Sequence, residues 1–493
     1  MIRVDKYTKC GRGVALLLGA MLCGCAVGPE YQRPTLDAPA AYKENADWRP
    51  ARPADELKRG AWWEIFGDAV LDELEGELDQ ANPSLAQAEA QYRQAQALVA
   101  GARASYFPTL AVSASLTRSR RYGTGGVAGG TAIGAGGDSS HPTDTYSLPF
   151  TATWEPDLWG RVRRTVEAQS ANAQASAALL ESTRLSLHAA LAQDYFQLRI
   201  VDEQKRLLDD TVAAYRKSLA LTENQYRVGV AARADVVQAD TQLKTAQVQA
   251  IDLGIARAEL EHAIAVLIGK PPAEFRIAPQ PLTIAPPTIP VGVPAQLLER
   301  RPDVAAAERQ AAAANAMIGV AESAFFPNLT LGASGGYQST SFAKWLTAPS
   351  RFWSLGPTLA ETLFDAGARH AQTVQARAAW DAAVANYRAV ALGAFQNVED
   401  ELAALRILEQ EAAAQAEAVK AAEESLRIAT NQYRAGTVSY LNVINAQTVA
   451  YANERNAIAI LGNRLVDSVA LIKALGGGWD AGELPAADTL GRR

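Results

Sequence analysis

Cysteine is confined to the first 25 residues, as Cys10, Cys23 and Cys25. The rest of the chain can form no disulfide, carry no thiolate nucleophile and build no cysteine metal site. Histidine is almost as scarce. His141, His188, His262 and His370 stand at no metal-ligand spacing and read as surface or packing side chains. No serine-centred elbow of the Gly-x-Ser-x-Gly kind is expected. The glycine-rich run that starts at Tyr122 lacks the Gly-Lys-Ser/Thr of a phosphate-binding loop and reads as a loop between strands. Positive charge is not in excess: 47 Lys and Arg stand against 53 Asp and Glu, a net −6. That balance excludes a nucleic-acid partner, which wants a basic face. No run beyond the N-terminus is apolar enough for a spanning helix. Nothing here forms an enzyme constellation or calls for a cofactor.

At the N-terminus, Arg3, Lys6, Lys9 and Arg12 precede a short apolar run, Val14 to Cys23. This is the pattern of a secretory signal, residues 1–24, too short to cross a bilayer. Leu22-Cys23-Gly24-Cys25 resembles the lipobox of bacterial lipoproteins. The resemblance implies lipidation of Cys25 as the first mature residue, which would consume the last thiol. Position +2 is Ala26, not the Asp that retains lipoproteins at the inner membrane. Several acyl chains, at about 0.8 kcal/mol per buried CH₂, anchor firmly where one is marginal. The alternative is a plain secretory signal with an incidental Cys.

Alanine supplies much of the apolar content, and alanine favours closely packed helix. From Arg161 to Val228 there is no Gly or Pro. Leu187, Leu191, Leu198, Val201, Leu208, Val212, Tyr215 and Leu219 form a heptad-like stripe, interrupted by Asp194 and Lys205. Such a helix reaches about 100 Å at 1.5 Å per residue. The stretch Ala366 to Tyr433 repeats it, with Gly393 as a weak point, and partner helices run from about Asp235 to Ile268 and from Tyr440 to Leu475. The chain is an internal repeat. Leu78 to Leu110 matches Leu297 to Leu329 at an offset of about 219, pairing Pro83 with Pro302 and Phe107-Pro108 with Phe326-Pro327. Asn-Gln-Tyr-Arg occurs at 224–227 and again at 431–434. The expected division is an N-terminal segment 25–77, a first repeat 78–268, a Pro-rich linker 269–294, a second repeat 295–475 and a tail 476–493. The pairs Asp209-Asp210, Glu399-Asp400 and Glu423-Glu424 read as solvated helix faces.

After each Phe-Pro break the period changes to two. Leu110, Val112, Ala114 and Leu116 alternate with small or polar residues, as do Tyr146, Leu148, Phe150, Ala152 and Trp154. The second half repeats this with Leu329, Leu331, Ala333 and Tyr337, then with Trp353, Leu355 and Leu359. Strands are expected at about 109–118, 145–155, 327–338 and 352–363. A run of about ten residues, apolar on one face, suits a tilted strand crossing a bilayer. Four strands cannot close a barrel, and an open edge is not tolerated in lipid. Strands must then be shared between chains, and three copies would make an even twelve.

The lipobox is followed by Ala-Val-Gly-Pro-Glu-Tyr-Gln-Arg-Pro and then by Trp62-Trp63-Glu64-Ile65-Phe66. Leu158-Trp159-Gly160-Arg161, Leu363-Phe364-Asp365-Ala366-Gly367 and two Tyr-Arg-x-Gly tips follow in order. As a set these resemble the TolC-like, NodT-type outer-membrane channel lipoproteins of tripartite efflux pumps. The resemblance implies an α+β membrane protein: a homotrimer with a twelve-stranded transmembrane β-barrel, continued into the periplasm by an α-helical barrel. It implies an equatorial belt made from both termini and the linker, and docking to a periplasmic adaptor and an inner-membrane RND-type pump. It places adaptor contacts at the tips, on Tyr226, Arg227, Gly229, Tyr433, Arg434 and Gly436. It places the periplasmic gate at Leu441, an apolar constriction, beside Asn445, where relatives often carry Asp. Asn445 would weaken an acidic ring unless Asp235 or Asp240 takes over. The implied function is passive exit of drugs or small toxic compounds. Outlets for type I protein secretion or heavy-metal export share the shape, and a coiled-coil envelope scaffold would have no need of the strands.

Overall fold

The computed structural model describes residues 26–36, 39, 41–45, 60–120, 142–289 and 299–491. The signal, Cys25, the glycine-rich loop with His141 and linker residues 290–294 lie outside the described residues.

The helices repeat at equal length. After α1 (Ala69–Ala81) comes α2 (Pro83–Ala104), with 22 residues, as many as α5 (Pro302–Ser323). The long helices α3 (Arg161–Arg227) and α6 (Ala368–Arg434) have 67 residues each. Their hairpin partners α4 (Arg233–Leu267) and α7 (Tyr440–Ala474) have 35 each. Each long helix starts at a capped corner. Asp157 accepts from the Val162 and Arg163 amides at 2.9 Å, and Asp365 from those of Gly367 and Arg369 at 3.0 and 3.1 Å. A carboxylate there satisfies orphan donors and meets the positive end of the helix dipole. Leu158-Trp159-Gly160-Arg161 and Leu363-Phe364-Asp365-Ala366-Gly367 form these two corners.

The sheet is antiparallel: β1 (Thr109–Val112) and β2 (Ser115–Ser119) both pair with β3 (Thr143–Trp154), which pairs with β4 (Asn328–Ser339), and β4 with β5 (Arg351–Ala360). Leu110 faces Ala152 and Leu116 faces Tyr146, so β1 and β2 keep one register along β3 and act as a single interrupted strand. The β3–β4 pairing joins the two halves of the chain.

The largest core lies at the waist of the long helices. Trp62, Trp63, Phe66, Leu71, Leu74 and Leu78 bury against Tyr195, Phe196 and Leu198 of α3, Tyr387 and Leu402 of α6, and Leu465 and Val469 of α7. Polar pins surround it. The Lys43 and Glu44 amides donate to Glu399, and Glu44 pairs with Arg406 at 2.6 Å. Glu399 therefore differs from the solvated face expected of it: it caps the first amides of a short N-terminal turn. The linker is held the same way, by Arg199 on the Ala278 carbonyl and Arg257 on that of Ile277. His188 is a buried packing residue, stacked on Trp63 at 4.4 Å and bonded to Glu75 at 2.6 Å. Burial pushes Glu75 up to about 7, and its bond to His188 draws it back in part.

Beside this core, Glu401 on α6 lies within reach of the charge of Asp467 on α7. Burial, then the charges of Asp467 and Asp400, push Glu401 up to about 7. Its folded value lies above its unfolded value, so the stability it contributes is complete below about pH 4.5 and is lost as pH rises to about 7. We expect Glu401→Gln to be more stable than the parent at pH 7.5, by on the order of 1 kcal/mol after solvent screening, and equal to it at pH 4. Denaturant unfolding at the two pH values measures this; equal curves at pH 7.5 refute it.

Candidate functional site: a two-faced wall and two helical tips

The cross-strand register sorts side chains onto two unlike faces. One face carries the rows Leu110–Ala152–Ala333–Leu355 and Val112–Phe150–Gly335–Trp353. The other carries Thr109–Thr153–Gly332–Gly356 and Ala111–Thr151–Ser334–Ser354. The apolar face is bare: Trp353 is 81% and Leu355 76% exposed. Exposed rows of this size need a covering phase, and the length and alternation match a lipid-facing wall. Aromatic residues mark both ends. Trp159 stacks on Phe326 at the helix end, and Tyr146 meets Phe342 and Trp345 at the other, at 5.4 and 5.9 Å. The run Gly332-Ala333-Ser334-Gly335-Gly336 does match Gly-x-Ser-x-Gly spacing. It lies within β4, and its Ser334 hydroxyl meets Ser354 at 2.8 Å, so it is no nucleophile elbow. β1/β2 and β5 end the sheet without a partner strand among the described residues.

The two tips share one backbone pattern. Gly229 (φ 80°) donates to the Tyr226 carbonyl at 3.0 Å, and Gly436 (φ 72°) to that of Tyr433 at 3.0 Å. In both, the positive φ closes the long helix and lets the chain reverse. The surroundings differ. Tyr226 is 46% exposed and Arg227 beside it bonds Asn224, while Tyr433 is only 6% exposed. Tyr433 donates to Thr222 of α3 at 3.2 Å and its ring lies 5.2 Å from Tyr440. Burial pushes Tyr440 up to about 12, with the Ser218 side chain pulling back. Gln447 donates to Ser218 at 3.1 Å, and Gln242 of α4 bridges Tyr215 and Thr448 at 3.2 Å. The second tip is thus bolted to the first hairpin, and the first tip stands free of this network. Arg434 and Gly436 remain on the surface.

On α7, Leu441 (48% exposed) and Asn445 lie one turn apart on an open face. Asp235 folds back to accept from the Ala232 amide at 3.1 Å, capping α4, whereas Asp240 is fully on the surface. Sequence reasoning missed the bolt of Ser218, Thr222 and Gln447. Polar side chains on a long helix carry no mark of burial until the neighbouring hairpin is in place.

A family model described as outer membrane efflux protein matches residues 74–270 and 293–477. The chain belongs to that family. Among its relatives is the toluene efflux pump outer membrane protein TtgC of Pseudomonas putida, 30% identical over 93% of this chain and 94% of that one. Another is the probable outer membrane lipoprotein SilC of Salmonella typhimurium, 28% identical over 93% and 97%. Among solved structures, the outer-membrane channel OprN superposes with a TM-score of 0.85 at 28% identity, covering 92% of this chain and all of that one. The wall and tips are therefore parts of an outer-membrane efflux channel. Among the described residues no three metal-ligand side chains converge, and no helix is long and apolar enough to cross a membrane.

The two faces make a sharp prediction. Leu355→Arg puts a charge in lipid and should cost about 2–4 kcal/mol near mid-membrane, while Ser354→Arg, one residue away, should be tolerated. The amount of each variant assembled in the outer membrane, by quantitative blot, measures the contrast; equal losses refute the assignment of faces.

Proposed function

We propose that three copies of this efflux channel join their sheets edge to edge, β5 of one to β1/β2 of the next, as a twelve-stranded barrel lipidated through Cys25. The helices continue it as a periplasmic duct, and compounds pass through without chemistry at this chain. One observation carries the reading. The sheet has a bare apolar face suited to lipid and, among the described residues, two edges without a partner strand, which hydrocarbon does not accept. The opposite face offers Thr, Ser and Gly, short groups that can wet a lumen and form no shaped pocket. A wall of this kind discriminates little between small toxic compounds or drugs, so substrate choice falls to an inner-membrane pump of RND type, joined through a periplasmic adaptor. The lipidated and equatorial segment 25–77, the linker 269–294 and the tail 476–493 form a belt around the long helices.

At the lower end, the adaptor would meet the surface groups of both tips: Tyr226, Arg227 and Gly229, with Arg434 and Gly436. Tyr433 serves there by holding the second tip in place. Leu441 narrows the opening with Asn445 beside it. Asp240 on the surface, or Asp235, whose carboxylate also caps α4, supplies what acidic character the ring has.

Two measurements test this. The purified channel in detergent should have the mass of three mature chains, and a solitary chain overturns the barrel. In planar bilayers Leu441→Ala should raise single-channel conductance by trimming a ring of three side chains; unchanged conductance removes Leu441 from the gate.

A further inference from the structure

The motif Ala26-Val-Gly-Pro-Glu-Tyr-Gln-Arg33 has no part in the wall or the tips, yet the structure holds it tightly. The Val27 amide donates to the Trp159 carbonyl at 3.1 Å. Arg164 of α3, itself 3% exposed, donates to the carbonyls of Val27 and Gly28 at 3.2 and 3.3 Å and to the Glu30 carboxylate at 2.8 Å. From α5, Asn315 donates to the Pro29 carbonyl at 3.1 Å, and Glu308 accepts from the Tyr31 hydroxyl. Gly28 (φ 98°) lies so close to α5 that a Cβ on it would come within 2.4 Å of the Gly319 Cα. One donor of this buried guanidinium stays on α3, with Glu167 at 2.8 Å, and the others make strong, charge-assisted bonds to this one extended segment. Those bonds are lost if the segment leaves, and buried groups left unpaired disfavour its leaving.

The place where this segment begins is informative. Trp159 lies at the corner between β3 and α3, stacks on Phe326 and donates to the Pro327 carbonyl at 2.8 Å, one residue before β4 starts. Ala26 is thus fixed at the foot of the strand wall, by contacts from both halves of the chain. Undocked, the segment would be a leash back to Leu36, which packs against the waist core. A leash of about 10 residues reaches up to roughly 35 Å.

We propose that residues 26–33 are a docking strap, and that Arg164 and the Gly28–Gly319 contact are its positioning elements: they hold the acylated N-terminus level with the foot of the barrel, so that anchor and wall enter the membrane together. Because its seat is built from α3 and α5, the strap docks only once both halves have paired. The proposal rests on the reading of Cys25 as the acylated residue.

Glu-C protease, which cuts after glutamate, tests it on the full acylated channel in detergent. The Glu30–Tyr31 bond should be cut slowly in the parent and at least about tenfold faster in Gly28→Ala and Arg164→Met, since cleavage follows local opening. Gly28→Ala replaces no residue of the helices, so it stays informative should Arg164→Met fail to assemble. A parent cut as fast as Gly28→Ala overturns docking. Positioning is read from a second cycle. Gly28→Ala should lower the inserted channel several-fold in the acylated chain and cause no further loss in a Cys25→Ser background. Equal fold losses in both backgrounds overturn positioning and leave a merely structural contact. The mass of the released peptide reports separately on acylation: without an acyl group the anchor reading fails, while the cleavage rates still decide docking.

Discussion

The rest of the structure depends on an edge that cannot be left open. A sheet of four strand passes with one bare apolar face is at home only in lipid, and in hydrocarbon each unpaired backbone N–H or C=O costs several kcal/mol. β5 and β1/β2 present such edges on opposite sides of the same sheet. A contact between unlike edges is heterologous, and a heterologous contact either closes as a ring or runs on as a fibre. The inward curve of a twisted sheet selects the ring. Oligomerisation is thus a condition for the strands to exist in a membrane at all.

The same constraint explains why the helices are long and alanine-rich. A wall shared by several chains must pass into a duct of matching diameter, and no single chain can place a globular core across that duct. Each chain instead contributes a shallow slab of two hairpins, with thin seams of Leu208, Tyr215, Leu243, Ala246 and Ala250. Small side chains let the helices approach closely along those seams. The one thick core sits at the waist, where Trp62, Trp63 and Phe66 arrive from outside the hairpins. Segments remote in sequence are tied there by charged groups: Glu399 to the amides of Lys43 and Glu44, Arg257 to the Ile277 carbonyl. The waist does for the helices what closure does for the strands.

Much of this was legible in the residues, and the reason is periodicity. Alternation at Leu110, Val112, Phe150 and Trp353 marks a two-faced wall without any knowledge of partners, because side-chain direction in a strand follows position alone. The Gly-free run from Arg161 marks a helix of 67 residues for a similar reason. What stayed hidden has no period. Glu399 looked like a solvated carboxylate, and only the path of the N-terminal segment shows that it caps amides. Tyr226 and Tyr433 stand in the same phrase, yet one is open and the other buried under Thr222. A repeat in sequence fixes local shape, and the difference between its copies arises from tertiary packing, which no local window contains.

That difference bears on how such a duct can move. Two identical hairpins would be expected to swing alike. Here the second is joined to the first through Tyr433–Thr222, Gln447–Ser218 and Gln242–Thr448, three side-chain bonds of 3.1–3.2 Å clustered near the tips. Each contributes about 1 kcal/mol net, two to α3 and one to α4, and all three must break if the tip of α6 and α7 is to pivot away from the first hairpin. At the other end, the capped corners at Asp157 and Asp365 hold the long helices rigidly to the sheet. A helix fixed at the top and bolted weakly at the bottom has its compliance at the bottom. The tip bonds alone amount to about 3 kcal/mol, and the burial of Tyr433, Tyr440 and Val443 against Ala239 adds to the hold. The side-chain bonds that tie the two hairpins near the tips are thus separate from those that hold the wall, the waist and the strap.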